Sequence, residues 1–340
     1  MKREIKKLFL ISCVLLIALI VNAQQKEFPK LTGPYLGQKP PGRTPTLFAP
    51  GIISTEFHEH SFPTFSPDGN RILFTRGFIS NYVYKFPVRI LSVTNDNGWS
   101  APEFADFTPQ LETSEAYFSP DGTRIYYSVH EEVENDPDDK KSFDIWYVEK
   151  LLRTWSDPIK LGKAINTENH ELQATVTRDL RLYYLGHYKK GKSNYGIYRS
   201  KFLDGNYATP ELLPESINSG HTNWTPFIAP DESYLLFSSD RPGGHGSGDL
   251  FISFRRKDDT WADPLNLGPP TNSAYNERYP YVSPDGKYLF FVSDKVNDSL
   301  LIEKDYRYQE YEQKYKSAGN GWCDVYWVSA KIIEELRPKE

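Results

Sequence analysis

Tyr279–Asp294 reads YPYVSPDGKYLFFVSD, two apolar runs separated by a four-residue break. Close copies are FPTFSPDGNRILFTR from Phe62 and EAYFSPDGTRIYYSV from Glu115. Looser ones are QATVTRDLRLYYLGH from Gln173 and TPFIAPDESYLLFSS from Thr225. Aligned on the turn aspartate they place Asp68, Asp121, Asp179, Asp231 and Asp285 52 to 58 residues apart. A period of this size marks a repeat architecture, with one supersecondary unit per copy.

Each copy begins with a short strand and a turn. In Ser-Pro-Asp-Gly, proline presets the backbone of the second turn position, aspartate suits the third, and glycine tolerates the positive φ of the fourth. Leu180 and Glu232 replace that glycine in copies three and four, where a left-handed residue costs about 1 kcal/mol. A second strand follows, such as YLFFVS. A third is announced by Asp144-Ile145-Trp146, Asp249-Leu250-Phe251 and Asp324-Val325-Tyr326; Arg89 and Gly196 stand at the aspartate position in copies one and three. A fourth follows an aromatic-x-x-Pro signal at Trp99, Trp155, Tyr207 and Trp261. The fifth copy lacks that signal. The missing piece is at the other end of the chain, where GRTPTLFAPGIIST (Gly42–Thr55) reads like WADPLNLGPPTNS. Four-stranded sheets in a radial array, closed by strands from both termini, make an all-β fold, the β-propeller. Closure removes the edges an open array would expose. The count gives five four-stranded blades over residues 43–335, with the N-terminal strand closing the last blade; six blades is the alternative.

The turn signature and the third-strand aspartate resemble the WD-like repeats of the TolB β-propeller family, over about residues 43–333. The resemblance implies the fold. Many members of that family have six blades, and TolB carries an additional N-terminal α/β domain, whereas only about 20 residues precede the closing strand here, so TolB's envelope role is not carried over.

The chain opens MKREIKK and continues LFLISCVLLIALIVNA. A basic start, an apolar stretch shorter than the ~20 residues of a membrane span, and Val21-Asn22-Ala23 before Gln24 read as a signal peptide over 1–23. Residues 24–42 form an extended N-terminal segment. Leu10-Ile11-Ser12-Cys13 is like a lipoprotein box, but most of the apolar run follows Cys13, so lipidation ranks second. A periplasmic or secreted product is expected, with no membrane span after cleavage. The net charge of −5 becomes more negative once four basic residues and one acid leave with the signal. That argues against nucleic acid as a partner. Only Cys323 then remains, so no internal disulfide can form and stability rests on the core. The 23 Tyr and 20 Phe against one Met suit sheets.

In a propeller, the tight turns lie on one face; the links between blades and the longer insertions lie on the other. All seven histidines map to the second face. His58, His60, His170 and His221 stand in links that should ring the mouth of the central channel and are the candidate metal ligands, for a divalent transition metal. At matching depth stand Glu59, Glu112, Glu171, Asn276 and Glu277. Arg241, in DRPGG, is a candidate clamp for a carboxylate or sugar acid. The bland alternatives are loop histidines bonded to backbone and an arginine holding its own loop. KDYRYQEYEQKYK (Lys304–Lys316) is expected to form a short helix over the channel mouth. No nucleophile elbow, P-loop, dinucleotide fingerprint or H-E-x-x-H is present. Two functions remain. One is a monomeric, non-catalytic propeller binding a protein, peptide or glycan through the histidine-bearing face. The other is a metal-assisted lyase or hydrolase acting on an acidic glycan in the channel mouth.

Overall fold

The structure is a computed structural model. It describes residues 28–80, 83–85, 88–94, 98–108, 113–132, 141–191, 193–297 and 307–339. The segment 1–23, with Cys13, and Glu112 lie outside these.

Five antiparallel sheets form a five-bladed β-propeller. Blade 5 shows the pattern: Glu277–Val282 is innermost, then Tyr288–Ser293, Asp324–Ser329, and outermost Thr46–Leu47 from the N-terminus. Thr46 pairs with Trp327 and Leu47 with Tyr326, antiparallel. Phe48 N–H extends the ladder to Val325 O (2.8 Å), and Ser329 N–H donates to Gly42 O (3.0 Å). The ring is therefore closed by chain ends far apart in sequence. In blade 1 the inner edge is split: His58–Glu59 and Thr64–Phe65 both pair with Arg71–Ser80.

The turn aspartates work as their residue type dictates. Asp68 Oδ1 accepts Ser66 Oγ–H (2.5 Å) and Asn70 N–H (3.1 Å), and Asp121 and Asp285 repeat the pattern. Leu180 and Glu232 are forced to φ of 62° and 61°. Glu232 turns that awkward position to use, because its carboxylate holds Arg181, Tyr183 and Arg255.

A second brace recurs in the links, tying each to the third strand of the blade it leaves. Asn166 accepts Ile145 N–H (2.9 Å) and donates to Ile145 O (3.0 Å) and Leu161 O (3.0 Å). Asn218 does the same to Ile197 and Leu213, Asn272 serves both backbone groups of Leu250, and Ser54 bridges to Val325 N and O. Each side chain substitutes for a ladder residue where the fourth strand has already ended, so buried backbone groups stay paired.

The segment before the closing strand is not simply extended. Pro34–Gly37 forms a 3-10 turn. Tyr35 packs among Phe65, Tyr288, Phe290 and Trp327 and donates to Asp285 Oδ1 (2.8 Å).

Candidate ligand-binding site

The innermost strands of blades 2 to 5 share a β-bulge. Six residues before each turn aspartate, Glu115, Gln173, Thr225 and Tyr279 take φ of 54° to 61°. A non-glycine residue there costs roughly 1–2 kcal/mol, and β-branched Thr225 is a clear outlier. A chain of hydrogen bonds around the axis offsets this strain. Gln173 N–H donates to Glu115 Oε2 (3.1 Å), Thr225 N–H to Gln173 Oε1 (2.7 Å), and Tyr279 N–H to Thr225 Oγ1 (3.0 Å). Tyr279 O–H closes the ring on Glu115 Oε1 (3.1 Å).

Glu115 is the charged member. It is 2% exposed, and burial raises its pKa while its donors oppose the shift. Those donors are Ser128 Oγ–H, Gln173 N–H, Gln173 Nε2–H and Tyr279 O–H, enough to saturate both oxygens. Blade 1 has Phe62 in place of a ring residue. His60 covers that side, its Nε2 3.3 Å from Tyr279 Oη and 4.0 Å from Glu115 Oε1.

His60 opens to solvent, with 28% of its side chain exposed. Its ring lies 5.8 Å from that of His58, and His58 meets Trp322 edge-on at 5.9 Å. Burial, then the nearby Arg278 guanidinium, pushes His58 down to about 4. Burial, then His58 and Arg278, holds His60 below the ordinary imidazole range. Both are neutral at physiological pH. Arg278 Nη2 donates to Cys323 Sγ (3.3 Å). Cys323 is buried, and desolvation pushes its thiol up to about 11, which disfavours the thiolate. This mouth therefore offers two neutral imidazoles, a guanidinium and indole.

The other expected residues are placed differently. Glu59, Glu171 and Glu277 are buried and are bound by their own links. Thr167 donates N–H (2.7 Å) and Oγ1–H (2.7 Å) to the two oxygens of Glu171, Ser273 does the same for Glu277, and Thr55 for Glu59. These bonds brace the links. Arg76 adds an ion pair to Glu59 (3.0 Å). Burial still pushes Glu59 up to about 8 and its neighbour Asp324 up to about 7, so this pair retains a proton near neutrality. Asn276 is tied into its strand end, its N–H donating to Asp294 Oδ1 (3.0 Å). Arg241 is turned inward. It donates to Ile217 O (2.8 Å) and Asn223 Oδ1 (3.1 Å), lies over the rings of Phe237 and Phe251, and loses basicity through burial.

The four histidines do not assemble. His170 accepts Phe143 N–H at Nδ1 (3.2 Å) and lies beside Tyr195, while His221 Nδ1 is 3.8 Å from Asp240. Only His58 and His60 are neighbours. Among the described residues no group of three or more His, Cys, Asp or Glu side chains is placed to share a metal ion. The links come from different blades: His170 and His221 find partners close to their own links, whereas His58 meets Trp322 and His60 reaches Tyr279 and Glu115 of the ring.

Sequence reading missed Arg278 and the ring of Glu115, Gln173, Thr225 and Tyr279. A signal was available: the same offset from the turn aspartate carries a polar atom in four copies.

No family model matches the sequence. No curated protein matches it either. Among solved structures it is similar to TolB from Acinetobacter baumannii, at 16% identity and TM-score 0.39, covering 63% of this chain and 44% of that one. It is also similar to an alpha-L-arabinofuranosidase from Lactobacillus brevis (14%, TM-score 0.45, 81% and 91%). A third is the catalytic domain of a GH62 alpha-L-arabinofuranosidase from Coprinopsis cinerea (10%, TM-score 0.46, 86% and 98%). The chain thus spans less than half the length of TolB. Likeness at this level is one of fold.

Proposed function

We propose that this chain is an exported, non-catalytic β-propeller that binds a protein, peptide or glycan through its histidine-bearing face. A band of exposed aromatic side chains beside the mouth carries the reading. Phe57 (50% exposed) and Trp322 (44%) flank His58, and the helix Tyr308–Tyr315 adds Tyr308, Tyr311 and Tyr315. Asn320 joins the two parts, its Nδ2–H groups donating to Glu56 O (3.3 Å) and Tyr315 O (3.0 Å). Aromatic rings left in water beside a cation and imidazoles suit stacking on sugar rings or apolar side chains. The nearby carboxylates Glu59, Glu115, Glu171 and Glu277 are spent on internal hydrogen bonds, which favours binding over acid-base chemistry. Among the described residues no helix is long and apolar enough to cross a membrane.

Untagged protein is titrated with oligogalacturonides, neutral oligosaccharides and a displayed peptide library, following tryptophan fluorescence and released reducing ends together. Saturable binding without turnover, weakened in Trp322→Ala, is expected. Accumulating reducing ends or unsaturated uronate would establish an enzyme instead. Binding untouched in a Phe57→Ala/Trp322→Ala protein would move the site off this face.

A further inference from the structure

The opposite pole of the axis carries a second, unrelated site. There the innermost strands run into the SPDG-type turns, and the residue before each turn aspartate faces the axis region. Blades 1, 2, 4 and 5 supply Pro67, Pro120, Pro230 and Pro284; blade 3 supplies Arg178. These five surround a pit of about 250 Å³ floored by aromatic residues, Phe65, Tyr117, Phe227 and Tyr281. The floor is fixed by ring contacts, with Phe227 and Tyr281 5.6 Å apart, Tyr117 and Tyr281 6.2 Å, and Phe65 stacked on Tyr281 at 6.3 Å. It separates the pit from the Glu115 ring, which lies two residues further back along the same strands.

Arg178 is the one charged residue lining the pit. Its backbone N–H is anchored to Pro230 O (2.8 Å), while its exposed side chain makes no hydrogen bond or ion pair with a described residue. The turn aspartates Asp68, Asp121, Asp179 and Asp285 accept hydroxyl hydrogens within their own turns, and Asp231 accepts Ser233 N–H (3.1 Å). Turn chemistry does not explain the arginine. The blade 3 turn, Thr177-Arg178-Asp179-Leu180, gives up both the proline and the glycine that the motif favours and leaves Leu180 at a φ of 62°.

We propose that this pit binds a small aromatic carboxylic acid, its ring between the proline walls above the closely packed Phe65, Tyr117, Phe227 and Tyr281 floor, and its carboxylate on the Arg178 guanidinium. A planar guanidinium donates to a carboxylate through two parallel hydrogen bonds. The prolines wall the pit with rigid apolar surface, so little side-chain entropy is lost on binding. The volume falls below the roughly 300–1,000 Å³ of sites for drug-sized ligands, which suits a single-ring acid. The site is independent of the histidine-bearing face.

The full mature chain is titrated calorimetrically with 3-phenylpropionate, and in parallel with 3-phenylpropanol and 3-phenylpropylamine. The acid is expected to bind saturably, with the alcohol and the amine at least tenfold weaker. Arg178→Met, which keeps the apolar stem, and Arg178→Gln, which keeps a polar end without the charge, should each weaken the acid at least tenfold; Trp322→Ala at the far pole should leave it unchanged. The proposal is overturned if the acid shows no saturable binding up to ~10 mM, if alcohol and acid bind alike, or if the folded Arg178→Met and Arg178→Gln proteins bind the acid as well as the parent.

Discussion

Truncating Phe48 to alanine tests whether closure by the N-terminal strand holds the whole ring or only its last blade. Phe48 has no exposed surface. Its ring meets those of Phe290 at 5.0 Å, Trp327 at 5.2 Å and Phe65 at 6.1 Å, all near edge-to-face. Phe65 belongs to blade 1 and the other two to blade 5, so one side chain joins the first and last blades across the seam. Removing a fully buried phenylalanine costs about 3–5 kcal/mol through lost transfer energy and the cavity left behind. That is a large part of the roughly 5–15 kcal/mol by which domains are stable. Urea unfolding followed by circular dichroism should show a midpoint lowered accordingly in a single transition, because an unlatched blade 5 exposes two sheet edges and the aromatic seam together. A loss below about 1 kcal/mol, or a separate early transition confined to blade 5, would refute the view that the ring is closed cooperatively at this seam.

Asn218→Ala leaves Ile197 N–H, Ile197 O and Leu213 O without their buried partner; at about 1–3 kcal/mol for each unsatisfied group, chemical denaturation should show a loss of several kcal/mol, and a change under about 1 kcal/mol would mean that water replaces the amide. Glu59 has its pKa raised from 4.5 to about 8 by burial, so the folded state holds its proton where the unfolded state has released it. Its contribution is full below about pH 4.5 and is lost as pH rises through about 8. Thermal midpoints measured from pH 5 to 8 should fall with rising pH, and Glu59→Gln should flatten that slope; an equal slope in both proteins would remove Glu59 as the cause. Intact mass of exported protein should begin at Gln24, whereas an N-terminal lipid on Cys13 would replace the signal-peptide reading.

The repeat determined the fold because each SPDG turn is local: proline, aspartate and glycine act within four residues, and the intervals between copies leave room for one four-stranded sheet. The displaced closing strand, Thr46–Leu47, was legible for the same reason, since a blade lacking its outer strand must borrow one. Which side chains reach the axis was not local. A bulge at Glu115, Gln173, Thr225 and Tyr279 turns those residues into a ring, and their partners lie one blade away, some 50 residues along the chain. The acids at the mouth looked available because sequence gives their depth but not their partners. Thr55, Thr167 and Ser273, four residues earlier in each case, capture Glu59, Glu171 and Glu277. The histidines shared a face in sequence, yet the radial spread of the links left only His58 and His60 adjacent. Arg178 stood in plain view in the third copy as a departure from Ser-Pro-Asp-Gly. Only the ring of blades made it the single cation over an aromatic floor, because the five residues around that pit come from five separate repeats and meet nowhere but at the axis.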